Sequence, residues 1–342
     1  MMEFGSDFNL INYPKGDSFK SLFGIGTNFY ASGRQALVAL AIARKWERLW
    51  VPSYFCEESL ACFRHTKIEI SKYPCLPTDN PESAVGKIPA SCKDGILVVN
   101  YFGLHGQQKF ENEAEIVEDH THDLLGTWCS NSSSDWCIAS LRKTLPVADG
   151  GILWSPKGRI LPKSLETTDE VSDVMSKRYQ AMLRKSEYLS GAEISKNTFL
   201  DVFRETEDAF DSLVLSGISH KSLEILSDFD IREWYEMKRR NYEELLKYLN
   251  LQESIKVLSP LHNQGYAFSL CLLFDSTRQR DSIRNFLIEN SVYPAILWQI
   301  ESTFCADAID LGRRILSIHC DGRYSTDDMQ ELARRINLSF IS

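Results

Sequence analysis

The sequence predicts an α/β fold in which a mostly parallel central sheet carries helices on both faces and is followed by a smaller α+β domain. From residue 33 to about residue 155, helix-like and strand-like segments alternate, which implies crossover connections between parallel strands. The run Gly95–Val99 is compact, apolar and rich in branched side chains, as expected for a strand covered on both faces. After about residue 160 the sequence becomes polar and helix-favouring, which indicates a change of architecture.

The first half of the chain contains one strongly apolar helix and a series of short strands. Residues 33 to 45 carry apolar side chains at 37, 38, 40, 41 and 42, which predicts a helix buried on much of its surface. Pro52 closes the apolar run Leu49–Val51, so we expect a short strand there. Strands are predicted at 49–51, 68–70, 95–99, 114–117, 136–139 and 151–154, and a helix at 57–64.

The second half is mainly helical before a final set of strands and helices. Residues 163–250 favour helices and end in a long amphipathic helix at 231–249. Ser325 or Thr326 provides a cap for a last helix. We predict strands at 266–274 and 315–318, helices at 278–290 and 326–337, and two domains, 1–235 and 236–342.

Composition excludes several classes of protein. The chain has 342 residues, with 47 acidic and 38 basic side chains and a formal net charge of −9, which argues against nucleic acid as the main partner. No apolar run approaches the roughly 20 residues that cross a bilayer, and residues 1–7 lack a secretion pattern, so we expect no membrane partner. Nine cysteines without a C-x-x-C pair favour reduced thiols, which predicts a cytoplasmic protein.

Ligands of open parallel sheets bind at the carboxyl ends of the strands, so the residues after each predicted strand are the candidate site residues. The segment Glu118–Asp123 holds three acidic residues and two histidines in six positions. A carboxylate there can pair with a cationic ring nitrogen or a metal ion, but no second ligand cluster is evident, so we predict no metal site. The alternative is a polar loop solvated at the edge of the sheet.

Lys143 follows the predicted strand at 136–139, stands among apolar neighbours and precedes the turn Asp149-Gly150-Gly151. Desolvation disfavours the charged ammonium, so such a lysine is a usable nucleophile toward a carbonyl group. The alternatives are an ordinary surface lysine and a plain turn between strands.

Two earlier segments are also informative. Ser32–Leu37 is a short polar turn that opens a helix, where backbone N–H groups and the helix dipole favour an anion and Arg34 adds a forked contact. The alternative is that Ser32 simply caps the helix. Tyr54 and Phe55 follow a strand, and they serve either core packing or stacking on a ligand ring.

In this order and spacing, the segments resemble the DegT-like family of pyridoxal-phosphate (PLP) aminotransferases, the sugar aminotransferase branch of fold type I. The family pattern has a Ser/Asn-Gly-Thr-x-Ala-Leu turn, a Val-Pro-x-Tyr segment and a Glu-Asp-x-Ala-His/Gln loop. A lysine follows, with an acidic residue six positions on and then Gly-Gly. The matching residues are Ser32–Leu37, Val51–Tyr54, Glu118-Asp119 with His122, and Lys143 with Asp149–Gly151, and the resemblance covers residues 30–340.

The resemblance implies a role for each matching residue. Lys143 would form a Schiff base with PLP, and Asp119 would pair with the protonated pyridine nitrogen and keep the ring an electron sink. His122 occupies the place of a cofactor-contacting His or Gln. Ile138 replaces the serine usually found five residues before the lysine, and Ser140 is the candidate substitute. The other implied cofactor contacts are Ser32, Gly33 and Arg34 for the phosphate, and Tyr54 or Phe55 for the ring face.

The resemblance further implies an aminotransferase that moves an amino group, from glutamate by family analogy, to a keto acceptor such as a nucleotide-linked ketosugar. It also implies a homodimer with the active site at the interface. Arg323 and Tyr324 are candidate substrate contacts, with an ordinary surface position as the alternative. The competing functions are a PLP-dependent lyase, dehydratase or aldolase of the same fold, and a non-catalytic relative.

Overall fold

The computed structural model describes residues 2–210, 212, 214–261, 264–301 and 303–341. Most of the predicted strands are present within one or two residues of their expected bounds. The strands are β1 (Phe4–Gly5), β2 (Thr27–Tyr30), β3 (Arg48–Pro52), β4 (Glu69–Tyr73), β5 (Asp94–Val99), β6 (Glu115–Asp119), β7 (Trp136–Ser140), β8 (Gly151–Trp154), β9 (Ile255–Leu258), β10 (Leu270–Phe274), β11 (Val292–Tyr293) and β12 (Ile315–Ile318).

The helices include the apolar helix and the long amphipathic helix that the sequence predicts. In addition, 3-10 turns cover Glu57–Phe63, Tyr101–Gly103 and Leu141–Lys143. The α-helices are α1 (Ser18–Phe23), α2 (Gly33–Arg44), α3 (Pro81–Val85), α4 (Thr127–Ser130), α5 (Asp169–Leu189), α6 (Asn197–Ala209), α7 (His220–Ser227), α8 (Ile231–Tyr248), α9 (Thr277–Glu289), α10 (Ala306–Arg314) and α11 (Thr326–Ser339).

Within the described residues, seven strands form the central sheet in the order β2-β8-β7-β6-β5-β3-β4. The strands from β7 to β4 are parallel to their neighbours, whereas β8 runs antiparallel to both β2 and β7. The carboxyl ends of the parallel strands therefore lie along one edge of the sheet. The predicted mostly parallel α/β sheet is confirmed.

Both faces of the central sheet are covered. All six residues of β5 are buried, as a strand covered on both sides requires. On one face, Leu40 of α2 shares a core cluster with Leu97 and Trp136. On the other face, Ile152 of β8 shares a cluster with Met175 of α5. These layers fix the ends of β6 and β7, which carry the candidate site.

A smaller antiparallel sheet has the order β12-β10-β9, and α8, α9 and α11 supply side chains to its core. Ser325 begins α11 with a reciprocal cap: its hydroxyl accepts from the Asp328 N–H while the Asp328 carboxylate accepts from the Ser325 N–H. The first residues of the chain also lie here, because β1 pairs in parallel with β11 and places Phe4 opposite Val292. The predicted smaller α+β unit is therefore present.

Two predicted elements differ from the structure. The strand expected at 266–274 is paired only from Leu270 onward, because the Tyr266 N–H donates to Asp123 Oδ2 and the Phe268 N–H donates to the Phe102 carbonyl. The segment Glu57–Phe63 winds as a 3-10 helix, and Cys56 at its start provides no side-chain cap. Among the described residues, no helix combines the length and apolar character needed to cross a bilayer.

Candidate active site

The candidate residues meet at the carboxyl edge of the central sheet. Asp119 is the last residue of β6 and lies opposite Ile138 of β7, while Lys143 ends the 3-10 turn that follows β7. Both side chains line one cavity, which shares Lys143 and His122 with a larger cleft of about 450 Å³. The other predicted residues that line this cavity are Ser32, Gly33, Arg34, Phe55 and Ser140.

Glycines allow the start of α2 to approach the ends of β7 and β8. A Cβ atom on Gly33 would lie 3.0 Å from Ser140 Cβ, and a Cβ atom on Gly151 would lie 2.2 Å from the Ser32 backbone. Ser32 caps the helix, because its Oγ accepts from the Gln35 N–H at 3.3 Å. The Gly-Gly pair is thus more than a plain turn: it seats a helix N-terminus, where N–H groups favour an anion, beside the lysine.

Thr121 orients the Asp119 carboxylate and was not predicted from the sequence. Its backbone N–H and its hydroxyl both donate to Asp119 Oδ1, at 2.9 and 2.5 Å, and its Oγ accepts from the Ser140 N–H at 2.9 Å. Among the described residues, no hydrogen-bond partner engages Asp119 Oδ2. The carboxylate is therefore held by one oxygen and offers the other to a cationic group in the cavity. Thr121 comes two residues after Asp119, in the same turn at the end of the strand, and this position is the sequence signal that could have identified it.

Lys143 is partly buried, and in the described part of the chain no hydrogen bond or ion pair engages its Nζ. The acidic residue six positions later has a structural role. Asp149 is fully buried and accepts from the Ser219 N–H at 2.8 Å and from the Ser219 hydroxyl at 2.7 Å, as well as from the Ser222 hydroxyl. Burial raises its pKa. Asp149 therefore ties the turn after Lys143 to the start of α7.

His122 is a buried neutral imidazole in the cavity wall. The Phe102 N–H donates to His122 Nδ1 at 3.1 Å, so the ring hydrogen is carried by Nε2. Burial, followed by the charges of Lys143 and Lys238, holds the His122 pKa well below 6.5. The ring stacks on Phe102 at 5.2 Å and on Trp298 at 5.7 Å, which fixes its plane.

The two aromatic candidates differ in position. Phe55 lines the cavity. Tyr54 is fully buried, its hydroxyl donates to the Leu297 carbonyl, and it is not among the cavity-lining residues. Trp298 is not predicted from the sequence; its ring lies against both rings at 5.7 and 6.4 Å and lines the cavity itself. Nothing in the local pattern around residue 298 marks it, since tertiary packing alone brings it to the site.

The segment 118–123 is not a solvated polar loop, because most of its side chains are buried. Strand alternation sends Asp119 toward the cavity and Glu118 to the other side of the sheet. Glu118 Oε2 lies 2.9 Å from His120 Nε2, and Glu118 Oε1 accepts from the Ser134 hydroxyl at 2.7 Å. With Cys137, these two residues bring ligand-type atoms within 4.8 Å of one another, but they already satisfy each other as a buried polar network.

Arg323 and Tyr324 hold the N-terminal segment of the chain and do not line the cavity. Arg323 makes a forked pair with Asp321, with both N–O distances 2.9 Å, and its Nη1 donates to the Ser6 and Asp7 carbonyls at 3.1 Å. The Tyr324 hydroxyl accepts from the Gly5 N–H at 2.7 Å. Ser6 and Asp7 do line the larger cleft, so Arg323 contacts part of the cleft wall through their backbone carbonyls.

Three arginines that surround one carboxylate form the wall next to Lys143. Arg34, Arg142 and Arg178 all line the larger cleft, and each contacts Glu207 of α6. Only Arg34 was predicted from the sequence, as part of the phosphate turn. Arg142 directly precedes Lys143 in the chain, whereas Arg178 and Glu207 lie on α5 and α6, in a region for which the sequence predicted only helices.

The fold matches known aminotransferase structures over nearly the whole chain. PseC of Helicobacter pylori, described as an aminotransferase of pseudoaminic acid biosynthesis, is 11% identical with a TM-score of 0.65, covering 99% of this chain and 100% of its own. A sugar aminotransferase of Streptococcus pneumoniae in its PLP form is 11% identical with a TM-score of 0.59, covering 98% and 93%. A DegT DnrJ EryC1 StrS aminotransferase of Brucella abortus is 15% identical with a TM-score of 0.56, covering 93% and 87%.

These similarities show the fold, and the expected fold type I architecture is confirmed. No family model and no curated protein matches the sequence.

Proposed function

We propose that this protein is a PLP-dependent aminotransferase that moves an amino group, from glutamate as donor, to a keto acceptor, with a nucleotide-linked ketosugar as the candidate acceptor. The observation that carries the proposal is the shared cavity of Lys143 and Asp119 at the ends of adjacent parallel strands. A primary amine that no described residue engages suits an aldehyde cofactor, and a carboxylate in the same cavity, with one oxygen that no described residue engages, suits its basic ring nitrogen.

The residues present fit PLP. Asp119 Oδ2 would face the ring nitrogen, the N-terminus of α2 with Ser32 and Gly33 would hold the phosphate, and Lys143 would hold the aldehyde carbon. When bound, PLP supplies an electron sink that stabilises negative charge on the carbon next to the reacting amine.

The chain itself supplies orientation and proton transfer. Once the donor's amino group has displaced it from the aldehyde carbon, Lys143 Nζ would take the proton from the donor α-carbon as a general base and deliver it to the former aldehyde carbon as a general acid. Thr121 keeps the Asp119 carboxylate turned to the cavity, and His122 offers its Nε2–H as a fixed donor. Phe55 and Trp298 exclude water from one side of the site.

The test is spectroscopic. The purified protein is incubated with PLP and then with glutamate, and absorbance near 400 nm and 2-oxoglutarate release are followed, where about 400 nm is the expected region of a lysine-bound aldehyde cofactor. One equivalent of 2-oxoglutarate per site, with loss of the band and no net turnover until a keto acceptor is added, supports transamination. Release of ammonia instead identifies the lyase or dehydratase class, and the absence of a band identifies a non-catalytic relative.

We also propose a homodimer in the cytoplasm, with the chain divided into units 1–235 and 236–342. The family resemblance is the basis for the dimer, and exposed apolar side chains such as Ile25 (97% exposed) and Ile160 (93% exposed) are consistent with a covered surface. No disulfide links the described cysteines, five of which are buried, and this suits a reducing compartment. Light scattering that gives a single-chain mass for the fully active enzyme would contradict the dimer.

A further inference from the structure

Three buried arginines from separate elements converge on the wall of the larger cleft. Arg34 lies in the first turn of α2, Arg142 precedes Lys143, and Arg178 lies on α5. Their side chains are only 6–9% exposed. Bringing three guanidinium groups out of water in one place is costly unless anions compensate them, so the arrangement indicates an anion site.

The group that the arginines hold in this structure is a carboxylate of the protein itself. Glu207 Oε1 lies 2.7 Å from Arg142 Nη2 and 3.4 Å from Arg34 Nη2, and Glu207 Oε2 lies 3.7 Å from Arg178 Nη1. Burial alone would raise the pKa of this carboxyl, but the charges of Arg142, Arg178 and their cationic neighbours lower it to about 2. Glu207 is therefore ionised at neutral pH and sits where an anionic ligand would sit.

One donor of the cluster is left without an acceptor among the described residues. Arg142 Nε is buried and has no hydrogen-bond partner in the described part of the chain. A buried donor without a partner, on a guanidinium that lines the cleft, independently indicates a ligand that supplies the acceptor.

The Glu207 side chain is able to move away from the three arginines. It is 39% exposed, far more than the arginines around it. Arg178 is anchored without it, because its Nη2 contacts Asp7 Oδ1 at 2.9 Å and its Nη1 contacts Thr206 Oγ1 at 3.0 Å. Arg178 therefore keeps its position when the Glu207 carboxylate withdraws.

We propose that Arg34, Arg142 and Arg178 form a carboxylate subsite for the amino donor, which Glu207 occupies in the absence of substrate and which a donor carboxylate takes over when it binds. The inference rests on the proposed aminotransferase function and names the substrate class as a dicarboxylic amino acid and its 2-oxo product. Forked guanidinium contacts suit a planar carboxylate, and the subsite lies in the same cleft as Lys143.

The experiment measures 2-oxoglutarate binding to the apoprotein by calorimetry, so neither cofactor nor turnover is needed. Glu207→Gln removes the competing charge and is expected to tighten binding about tenfold, while Arg142→Lys removes the fork and is expected to weaken it about tenfold, the scale of one charge-assisted contact. Glu205→Gln is the matched control: Glu205 lies on the same helix, is 63% exposed and pairs with Lys177 at 3.2 Å. Its affinity should equal that of the unmodified protein.

A second Glu207 variant keeps the test decisive if Glu207→Gln does not fold. Glu207→Asp keeps the charge but shortens the side chain by one carbon, and it too should tighten binding because the carboxylate no longer reaches the arginines. Unchanged 2-oxoglutarate affinity in both Glu207 variants would overturn the subsite.

Two further probes identify the anion. If the Glu207 variants tighten inorganic phosphate and not 2-oxoglutarate, or if Arg142→Lys weakens PLP and leaves 2-oxoglutarate unchanged, the arginines serve a phosphate and the proposal is wrong. If the protein does not bind PLP but the variants bind 2-oxoglutarate with the affinities expected above, the cofactor is rejected and the carboxylate subsite is kept. The two proposals therefore fail separately.

Discussion

Lys143 and Asp119 line one cavity, although Asp119 ends β6 and Lys143 follows β7, 24 positions later in the chain. The juxtaposition follows from topology, because β6 and β7 are parallel neighbours and both residues come at or just after the carboxyl end of their strand. An amine and an anchored carboxylate at this edge are the two groups that the proposed aldehyde cofactor with a ring nitrogen requires.

Lys143→Ala is expected to abolish the covalent link to the cofactor and to lower turnover by more than about 10³-fold, since it removes both the nucleophile and the proton carrier. Stability should change little, because no described residue forms a hydrogen bond or ion pair with Nζ. Borohydride trapping with peptide mapping measures the link, and Lys163→Ala, at an exposed position, is the control. Turnover that persists in Lys143→Ala contradicts the assignment.

Asp119→Asn should still bind PLP and should slow proton abstraction by about 10²- to 10⁴-fold, because the amide no longer stabilises a protonated ring nitrogen. The amide oxygen can still accept from both Thr121 donors, so the fold is preserved. The rate of α-proton exchange into deuterated solvent measures the effect. If Asp119→Asn exchanges the α-proton as fast as the unmodified protein, the ring nitrogen does not lie against Asp119.

The sequence predicts this half of the site because its residues follow regular structure. Asp119 and Lys143 come after strands in a chain segment where helices and strands alternate, so their common edge is deducible from topology. Trp298 and Glu207 lie outside that alternation, and packing alone decides what they touch. Their local patterns therefore carried no signal.

Arg323 shows a second limit on what can be predicted from the sequence. Its sequence context near the final strand suggested a substrate contact, but β1 returns to pair with β11 and brings the Ser6 and Asp7 carbonyls against the guanidinium. The paired residues lie about 290 positions apart, and each strand is only two residues long. Neither segment is therefore long enough to show the alternating pattern that would predict a strand. The side chain is consequently committed to the N-terminal segment.

Thr121→Val is expected to destabilise the protein by about 1–3 kcal/mol, because the Ser140 N–H loses its acceptor in a buried environment. It should also slow catalysis, since Asp119 loses its shortest hydrogen bond. Thr121→Ser retains the hydroxyl and should restore the catalytic rate even if some packing is lost. Urea unfolding and α-proton exchange measure the two effects, and equal rates for valine and serine would show that Thr121 is purely structural.

Arg323→Met is expected to cost about 3–5 kcal/mol, because it leaves the buried Asp321 carboxylate without its cation. Adding Asp321→Asn should recover part of this loss by removing the uncompensated charge. Hydrogen exchange should rise in residues 4–8 in both variants, since the contacts to Ser6 and Asp7 are gone. Unchanged exchange in this segment would mean that β1 pairing alone holds it.

The pH dependence of stability should reflect His122. Its pKa is well below 6.5 in the folded protein, mainly through burial, whereas in the unfolded chain it has its ordinary value of about 6.5. The unfolded state therefore takes up a proton first as the pH falls, so the contribution of His122 is complete above pH 6.5 and is lost on acidification. His122→Gln can keep an acceptor for the Phe102 N–H without titrating. The stability advantage of the unmodified protein over this variant should thus shrink by about 1.4 kcal/mol between pH 7.5 and pH 5.5, measured by urea unfolding. His65→Gln, at an exposed position, is the control variant, and an advantage that is constant with pH would show that the His122 pKa does not differ between the folded and the unfolded protein.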